Sequence, residues 1–191
     1  DEETKKVWSL GLNPMPDNKN YNVVYGFGYT KYIHKSNGLE QELEIFVPKE
    51  DSLKVQILKL KNTTLNRKKM KIIYYIKPVL GEDEIKTNGY INLKYDSNNN
   101  IICAQNLYNN DFPNDVIYVS NSEKIKSYTG DKNFFIGNGS LSNPESLKMP
   151  SLNNENSLGK SACIAYEIEV EIESLSEKEI IEVSQRVYME L

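Results

Sequence analysis

The amino-acid sequence predicts an all-β fold, namely a large antiparallel β-sandwich. Apolar residues recur with a period of two along most of the chain, which is typical of strands with one buried and one solvated face. No run of residues keeps a helical period for more than two turns. Turn signals separate the apolar runs at short spacing, and about ten strands without crossover helices indicate antiparallel sheets.

Three apolar runs predict strands in the first hundred residues. The odd-numbered residues of 39–47 are mainly apolar, and glutamates lie between them. Residues 55–60 form a second run whose alternation changes phase between Ile57 and Leu58, and this change indicates a β-bulge. Residues 91–95 alternate in the same way.

The clearest alternation lies near the end of the chain. The even-numbered residues of 162–172 are apolar and predict a buried face. Four glutamates take the opposite positions: Glu167, Glu169, Glu171 and Glu173. We interpret their row as a solvated face rather than as paired catalytic carboxylates. Residues 181–189 alternate once more and predict a final strand.

Turn signals and composition complete the expected organisation. The pairs Asn37-Gly38, Asn88-Gly89 and Asn138-Gly139 predict short hairpins, because both residue types tolerate positive φ. Residues 121–161 are rich in Asn, Ser, Gly and Pro, and predict a long irregular segment of functional or flexible character. No internal repeat is visible, so we expect a single β-sandwich domain over residues 1–191.

Charge and hydropathy exclude several function classes. The chain has 191 residues, with 23 basic against 27 acidic side chains and a pI near 5.2, which argues against a nucleic-acid partner. The basic run of residues 67–71 is interpreted as a solvated hairpin end. No apolar stretch approaches the ~20 residues that span a bilayer. The chain opens without methionine and without a signal peptide, so we expect a processed or excised fragment.

Neither cysteine nor histidine supplies an evident site. Cys103 and Cys163 lie in apolar strand sequences, and we expect two buried free thiols, with a disulfide as the alternative. His34 is the only histidine, and we expect it to be half-exposed on a strand. With one histidine, no metal site and no Ser or Cys triad is predicted.

Clustered aromatics are the one feature with a chemical implication. Residues 21–32 contain Tyr21, Tyr25, Phe27, Tyr29 and Tyr32, and aromatic faces stack on the C–H surfaces of sugars. Core and hairpin packing is the alternative that we favour from these residues alone. The Gly-x-Gly pairs at 26–28 and 137–139 are ordinary turn glycines.

Several ordered motifs resemble glycoside hydrolase family 94, the former glycosyltransferase family 36. Residues 25–30 (YGFGYT) and 41–48 (QELEIFVP) are similar to that family's HGFGYT and QELTVFVP, and residues 58–63 (LKLKNT) to its LRLRNT. Residues 106–112 resemble its ARNPYN and following Phe. Residues 128–144 resemble its TGDR, FLGRNGSL and following Pro. Together the motifs span nearly the whole chain.

The resemblance implies a super-sandwich domain similar to galactose mutarotase, followed in the parent by a linker and an (α/α)6 barrel. Family members include cellobiose phosphorylases, β-1,2-oligoglucan phosphorylases and cyclic β-1,2-glucan synthases. They perform inverting phosphorolysis, in which a barrel carboxylic acid protonates the glycosidic oxygen while inorganic phosphate attacks C1. The implied partners are an oligosaccharide or β-glucan, the chain's own downstream barrel and a second copy in a homodimer. No other cofactor is implied.

The chain is therefore expected to be non-catalytic by itself. The resemblance implies a bacterial cytoplasmic parent, associated with the inner membrane if it is a cyclic glucan synthase. Rival hypotheses are a freestanding carbohydrate-binding module with the aromatics of residues 21–32 as its platform, and a structural sandwich of surface-protein type. The discriminating observation is whether the gene continues past Leu191 into several hundred helical residues.

Six residues are the candidate substrate contacts, and the sequence departs from the family pattern near three of them. The candidates are Tyr25, Tyr29, Tyr128, Asp131, Lys132 and Asn138. Tyr25 replaces the family histidine, Lys132 replaces an arginine, and the arginine expected before Asn138 is missing. Lysine keeps the positive charge of arginine but loses its bidentate geometry. No catalytic residue is assigned to this chain.

Overall fold

A computed structural model describes residues 1–110 and 112–188. Within these residues the chain forms eleven strands: β1 (Tyr21–Gly26), β2 (Tyr29–Ser36), β3 (Leu39–Phe46), β4 (Leu53–Asn62), β5 (Lys68–Ile76), β6 (Ile91–Asp96), β7 (Ile101–Asn106), β8 (Asp115–Asn121), β9 (Ser127–Asp131), β10 (Ala162–Ile172) and β11 (Glu177–Tyr188). In the same part of the chain, helices are limited to α1 (Glu84–Thr87), α2 (Lys132–Ile136) and the 3-10 turns Asn88–Tyr90 and Glu145–Lys148.

The described strands form two sheets. Eight of them are ordered β1-β2-β3-β4-β11-β8-β7-β6, and the other three are ordered β5-β10-β9. The hairpin pairs β1–β2, β2–β3, β3–β4, β6–β7 and β7–β8 are antiparallel, as is β9 with β10. The predicted all-β antiparallel sandwich is confirmed, and so is the shortage of helix.

The chain divides into two compact units. Unit 1 contains residues 1–72 and 169–183, and unit 2 contains residues 73–168 and 184–191. Strands β5, β10 and β11 each contribute to both units. The single domain over residues 1–191 stays a prediction.

Unit 1 is built on the meander of β1 to β4. Leu39, Leu58 and Leu60 are buried on one face of its sheet. The register of β3 with β4 is continuous from the pair Leu39–Asn62 to the pair Phe46–Val55. The bulge predicted within residues 55–60 is therefore wrong. The apparent phase change arises because β4 has apolar residues on both faces, with Leu58 buried and Ile57 half-buried.

Unit 2 has its own apolar core. Phe135, Leu152, Cys163 and Ala165 form a buried cluster, against which Tyr75 and other half-buried residues pack. The rings of Tyr75 and Phe135 lie 5.0 Å apart between centroids. Both cysteines are free, as predicted, although Cys103 is only half-buried. Burial raises the pKa of the Cys163 thiol to about 12.

The glutamate row on β10 is not a uniform solvated face. Glu169 and Glu171 are exposed in unit 1, as predicted, and Glu171 pairs with Arg67 and Lys69. Glu167 is only 2% exposed in unit 2, so the prediction is wrong at this position. Its side chain is on the face of β10 that carries Cys163 and Ala165, which the unit 2 core covers.

The final strand is confirmed, but the structure buries its even-numbered residues and not the odd-numbered, mainly apolar ones that define the predicted buried face. In unit 1, Ile180 and Glu182 are 3% and 4% exposed, whereas Ile181 is 37% exposed. Oε2 of the buried Glu182 side chain accepts a hydrogen bond from the side-chain amide of Gln56. Met189, the last residue of the predicted strand, lies outside the described residues.

One of the three predicted Asn-Gly hairpins is confirmed. Asn37 and Gly38 connect β2 to β3 with φ values of 51° and 76°. Asn88-Gly89 lies in a 3-10 turn, because the Asn88 side chain is bound to the Ser161 hydroxyl and the Ala162 amide. Asn138-Gly139 comes after α2 and joins no strand pair. The segment 121–161 is also less irregular than expected, since it contains β9 and α2.

Candidate functional site

The β1–β2 hairpin of unit 1 presents aromatic rings to solvent. Tyr25 is 78% exposed, and Phe27 at the turn is fully exposed. The Tyr29 ring lies across Gly26, where an added Cβ would be 2.1 Å from the ring. The Lys31 ammonium lies 5.8 Å from the Tyr29 ring centroid, a distance that permits a cation–π contact. Two of the candidate residues, Tyr25 and Tyr29, therefore lie on one exposed hairpin.

His34 is a buried structural residue, which corrects its predicted half-exposure. It is 1% exposed, and its ring stacks on Tyr21 with centroids 3.8 Å apart. Its Nδ1 lies 2.9 Å from the Asn20 carbonyl oxygen, and its Nε2 lies 3.1 Å from Asp17 Oδ2. The polar segment before β1 therefore satisfies a histidine that was expected to be half-exposed on its strand.

The segment from β9 to α2 in unit 2 holds three more candidates. The Asp131 carboxylate is the N-cap of α2 and accepts hydrogen bonds from the amides of Asn133 and Phe134. Lys132 Nζ lies 3.7 Å from a carboxylate oxygen of Glu84. Tyr128 is half-buried on β9. Asp131 and Lys132 thus have local structural roles. Tyr128, in contrast, is one of the residues that line a cleft on unit 2.

Asn138 lies in the exposed turn after α2. The turn is closed by hydrogen bonds from the Gly137 amide to the Asn133 carbonyl and from the Gly139 amide to the Ile136 carbonyl. Asn138 is exposed there and is not among the residues that line the cleft. Tyr128 is the only one of the six candidates among the residues described as lining the cleft.

This cleft of about 540 Å³ lies on unit 2. It is lined by Leu93, Lys94, Tyr95, Tyr128, Asn154, Glu155, Asn156 and Lys160. Tyr95 and Tyr128 form a tilted pair with ring centroids 5.3 Å apart. The Tyr95 hydroxyl donates to Asn100 Oδ1 or to the Ile125 carbonyl, at 3.1 and 3.3 Å. Burial raises the pKa of Tyr95, with a further contribution from the charge of Asp96.

Charge in the cleft is partly balanced. Lys160 pairs with Glu155 and lies 3.5 Å from Asp131 Oδ2. These hydrogen-bonded carboxylates raise the pKa of Lys160, so it stays protonated at neutral pH. Lys94 is exposed on the opposite strand, β6. The cleft therefore combines aromatic surface, amides and both signs of charge.

Sequence reasoning missed most of the cleft. Its residues come from β6, from β9 and from residues 154–160, and no local pattern connects these segments. The aromatic pair and the asparagines were visible in the sequence but not as neighbours. Among residues 1–110 and 112–188, no group of three His, Cys, Asp or Glu side chains is arranged to hold a metal ion. No helix in that part of the chain is long and apolar enough to cross a membrane.

Comparison with known proteins connects the chain to carbohydrate-active enzymes. It is 22% identical over 162 residues to the cyclic beta-(1,2)-glucan synthase NdvB of Rhizobium meliloti (strain 1021), covering 84% of this chain and 6% of that protein. It is 23% identical over 144 residues to the N,N'-diacetylchitobiose phosphorylase of Vibrio furnissii, covering 72% of this chain and 18% of that protein. The chain thus spans only a small part of either relative.

Solved structures agree on the fold. The crystal structure of heparinase III matches with a TM-score of 0.53 at 11% identity, over 89% of this chain and 22% of that one. The family model for the supersandwich domain of glycosyl hydrolase 94 matches residues 1–185, nearly the full length. The resemblance seen in the ordered motifs is confirmed: this chain belongs to the glycosyl hydrolase 94 supersandwich domain family.

Proposed function

We propose that this chain is the non-catalytic sandwich domain of a larger bacterial enzyme that acts on β-linked glucans. The parent would cleave or rearrange glycosidic bonds by inverting phosphorolysis, with inorganic phosphate as co-substrate and the catalytic acid on an (α/α)6 barrel. The work of the sandwich would be to support that barrel, to contribute to a dimer and to border the sugar site. The two free cysteines are typical of a reducing compartment such as the cytoplasm.

The observation that carries this proposal is the family match over residues 1–185. The two curated relatives are a glucan synthase and a sugar phosphorylase, and both are much longer than this chain. Their names differ in the sugar, so both β-linked glucose and β-linked N-acetylglucosamine are substrates to test. The residues of the ordered motifs are most similar to those of the family members that act on β-1,2-glucans, which favours β-1,2-linked glucose.

The exposed β1–β2 hairpin is the surface that we propose for docking on the barrel. Tyr25 and Phe27 protrude from the turn, and Val24 and Val47 are 42% and 61% exposed in the same unit. Large exposed apolar residues in a group typically mark an interaction site. These side chains would lose their contact with water on a barrel surface or on a second copy of the chain.

The same aromatics support the rival function, a freestanding carbohydrate-binding module. The gene downstream of the Leu191 codon distinguishes the two proposals. A reading frame that continues into several hundred helical residues is expected for the enzyme domain. A stop codon directly after Leu191 would exclude the proposed role and leave the binding module.

A turnover assay tests the assignment of catalysis to the barrel. The purified 191-residue chain is incubated with phosphate and with β-1,2-glucan, β-1,4-glucan or N,N'-diacetylchitobiose, and sugar 1-phosphate is measured. No product is expected, because the catalytic acid belongs to the absent barrel. Product formation that persists through stringent purification would show that the acid lies in this chain.

A further inference from the structure

The cleft of unit 2 has walls that are fixed before any ligand arrives. Residues 152–160 run along the edge of β9, where the Asn154 amide donates to the Tyr128 carbonyl and the Gly130 amide donates to the Glu155 carbonyl, each at 2.8 Å. Asn154 Oδ1 accepts from the Tyr128 amide at 3.1 Å. These bonds hold the segment as an added strand-like edge, so its side chains are preorganised for binding.

Hydrogen bonds also fix the second half of residues 152–160. The buried Ser157 hydroxyl donates to the carbonyl of Ile91 at the start of β6, and the Asn156 side chain accepts from the Leu158 amide. The backbone of Ser157 and Asn156 lies so close to Gly130 that any Cβ there would be within 2.9 Å of it. The cleft between β6 and residues 154–160 therefore has two rigid sides.

An aromatic pair forms part of this cleft. Tyr95 is anchored through its hydroxyl to Asn100 and Ile125, whereas Tyr128 makes no hydrogen bond through its hydroxyl within residues 1–110 and 112–188. Both rings are half-buried, so part of each is accessible from the cleft. Aromatic faces bind the C–H surface of sugar rings, and a tyrosine hydroxyl can bind a sugar hydroxyl as well.

Hydrogen-bond donors in the cleft have unused capacity. Among the described residues, the side-chain amide nitrogens (Nδ2) of Asn154 and Asn156 have no hydrogen-bond partner. Glu155 supplies an acceptor, and its charge is balanced by Lys160. Alternating donors and acceptors beside aromatic surface match the hydroxyl pattern of a sugar.

The charges favour a neutral ligand over an anionic polymer. The Glu155 carboxylate and the Lys160 ammonium group in the cleft pair with each other and leave no net charge there. Lys94 lies opposite Cys103 in the register of β6 with β7, so its side chain is on the other face of β6 from Leu93 and Tyr95. The whole chain carries a net charge of −4, which repels polyanions. We propose that this cleft is a binding site for a neutral oligosaccharide, and that Tyr128 and Asn156 are its principal contacts. The choice of β-linked glucose as the sugar rests on the proposed function.

Calorimetric titration of the 191-residue chain tests the site directly. The probes are the glucose trisaccharides sophorotriose (β-1,2), cellotriose (β-1,4) and maltotriose (α-1,4). We expect weak binding of a β-linked trisaccharide, since the cleft is shallow. Tyr128→Ala should weaken it by about tenfold through loss of stacking, and Asn156→Asp by about threefold through loss of the Nδ2 donor.

Matched variants separate a specific site from general aromatic binding. Tyr108→Ala removes another exposed tyrosine of unit 2 that does not line the cleft, and it should leave the affinity unchanged. Asn156 is exposed, and Asn156→Asp keeps the oxygen that accepts from the Leu158 amide, so this variant keeps the test valid even if Tyr128→Ala is poorly folded. Amide chemical shifts of residues 93–95 and 154–160 should move on titration.

Three results would overturn the proposal. They are the absence of binding by every trisaccharide, equal binding by wild type and both cleft variants, and loss of binding on Tyr25→Ala instead of Tyr128→Ala. Equal affinity for maltotriose would overturn the β-linked assignment. The turnover and reading-frame tests concern the parent enzyme, so the cleft and the proposed function can fail independently of each other.

Discussion

Gly130 is the position where a single methyl group should disturb unit 2 most directly. A Cβ placed there would be 2.6 Å from the Ser157 amide nitrogen, 2.7 Å from the Asn156 carbonyl carbon and 2.9 Å from Ser157 Cβ. All three atoms belong to or adjoin the backbone of a segment fixed by hydrogen bonds, so no flexible side chain can move aside. Gly130→Ala therefore requires β9 and residues 154–157 to separate.

The expected loss of stability can be worked out from these contacts. Overpacking of a filled site costs about 1–3 kcal/mol. Separation also weakens the hydrogen bonds from the Gly130 amide to the Glu155 carbonyl and from the Asn154 amide to the Tyr128 carbonyl, at about 1 kcal/mol each. We expect the free energy of unfolding to fall by about 2–4 kcal/mol, which for a chain of this length lowers the Tm by about 5–15 °C.

Urea denaturation followed by circular dichroism measures this loss. Gly89→Ala is the matched control, because a Cβ at Gly89 would meet nothing within 4 Å. The control should change stability by at most about 1 kcal/mol, in the stabilising direction. A Gly130→Ala protein as stable as the control would refute the close approach of residues 154–157 to β9, and with it the fixed wall of the cleft.

Two further predictions concern titratable groups. Burial alone would raise the pKa of Asp17, but hydrogen bonds from Ser36, from the Lys19 amide and from His34 outweigh this effect and hold the pKa below its ordinary value of 3.8. The stability that the Asp17 carboxylate provides is therefore fully present above pH 3.8, and it is lost as the pH falls through the folded-state pKa. The stability advantage of wild type over Asp17→Asn, measured by urea denaturation, should shrink as the pH falls below 3.8, and a constant difference down to strongly acidic pH would contradict the lowered pKa of Asp17. Burial raises the pKa of Cys163 to about 12, so Ellman's reagent should leave this thiol unmodified in native protein at about pH 8 and react with it after unfolding in urea. Cys103→Ser isolates the Cys163 signal, and rapid reaction of that variant in its native state would contradict the burial of Cys163.

The strands were predictable where alternation and burial agree. In β6, Ile91 and Leu93 alternate with polar neighbours and are buried. Prediction failed where a polar residue is buried through a distant partner. Glu182 Oε2 accepts a hydrogen bond from Gln56, and the His34 ring contacts Asp17 and Asn20, and neither pairing has a local sequence signal. Such contacts depend on strand order and on the position of the N-terminal segment. The two-residue period of apolar residues along a strand carries no information about either.

Turn prediction failed for a related reason. The pair Asn37-Gly38 forms a hairpin because the strands on both sides of it pair with each other. Asn88-Gly89 has the same local chemistry, yet the Asn88 side chain binds residues 161 and 162, more than seventy positions away. Positive-φ tolerance predicts that a turn is allowed, whereas tertiary contacts decide which turn forms.

The family motif around β9 also separates structural roles from binding roles. Thr129 is fully buried, Gly130 permits the close approach of residues 154–157, and Asp131 caps α2. Each residue of this Thr-Gly-Asp string therefore has a structural reason to be present, and the string indicates the fold more directly than it indicates a substrate. Under the proposal that the cleft binds an oligosaccharide, selectivity for the sugar resides in the cleft-lining side chains that the string positions, beginning with Tyr128. Lys94, Asn154 and Asn156 lie outside every motif that connects the chain to its family. On that proposal, relatives with the same string differ in sugar selectivity where these side chains differ.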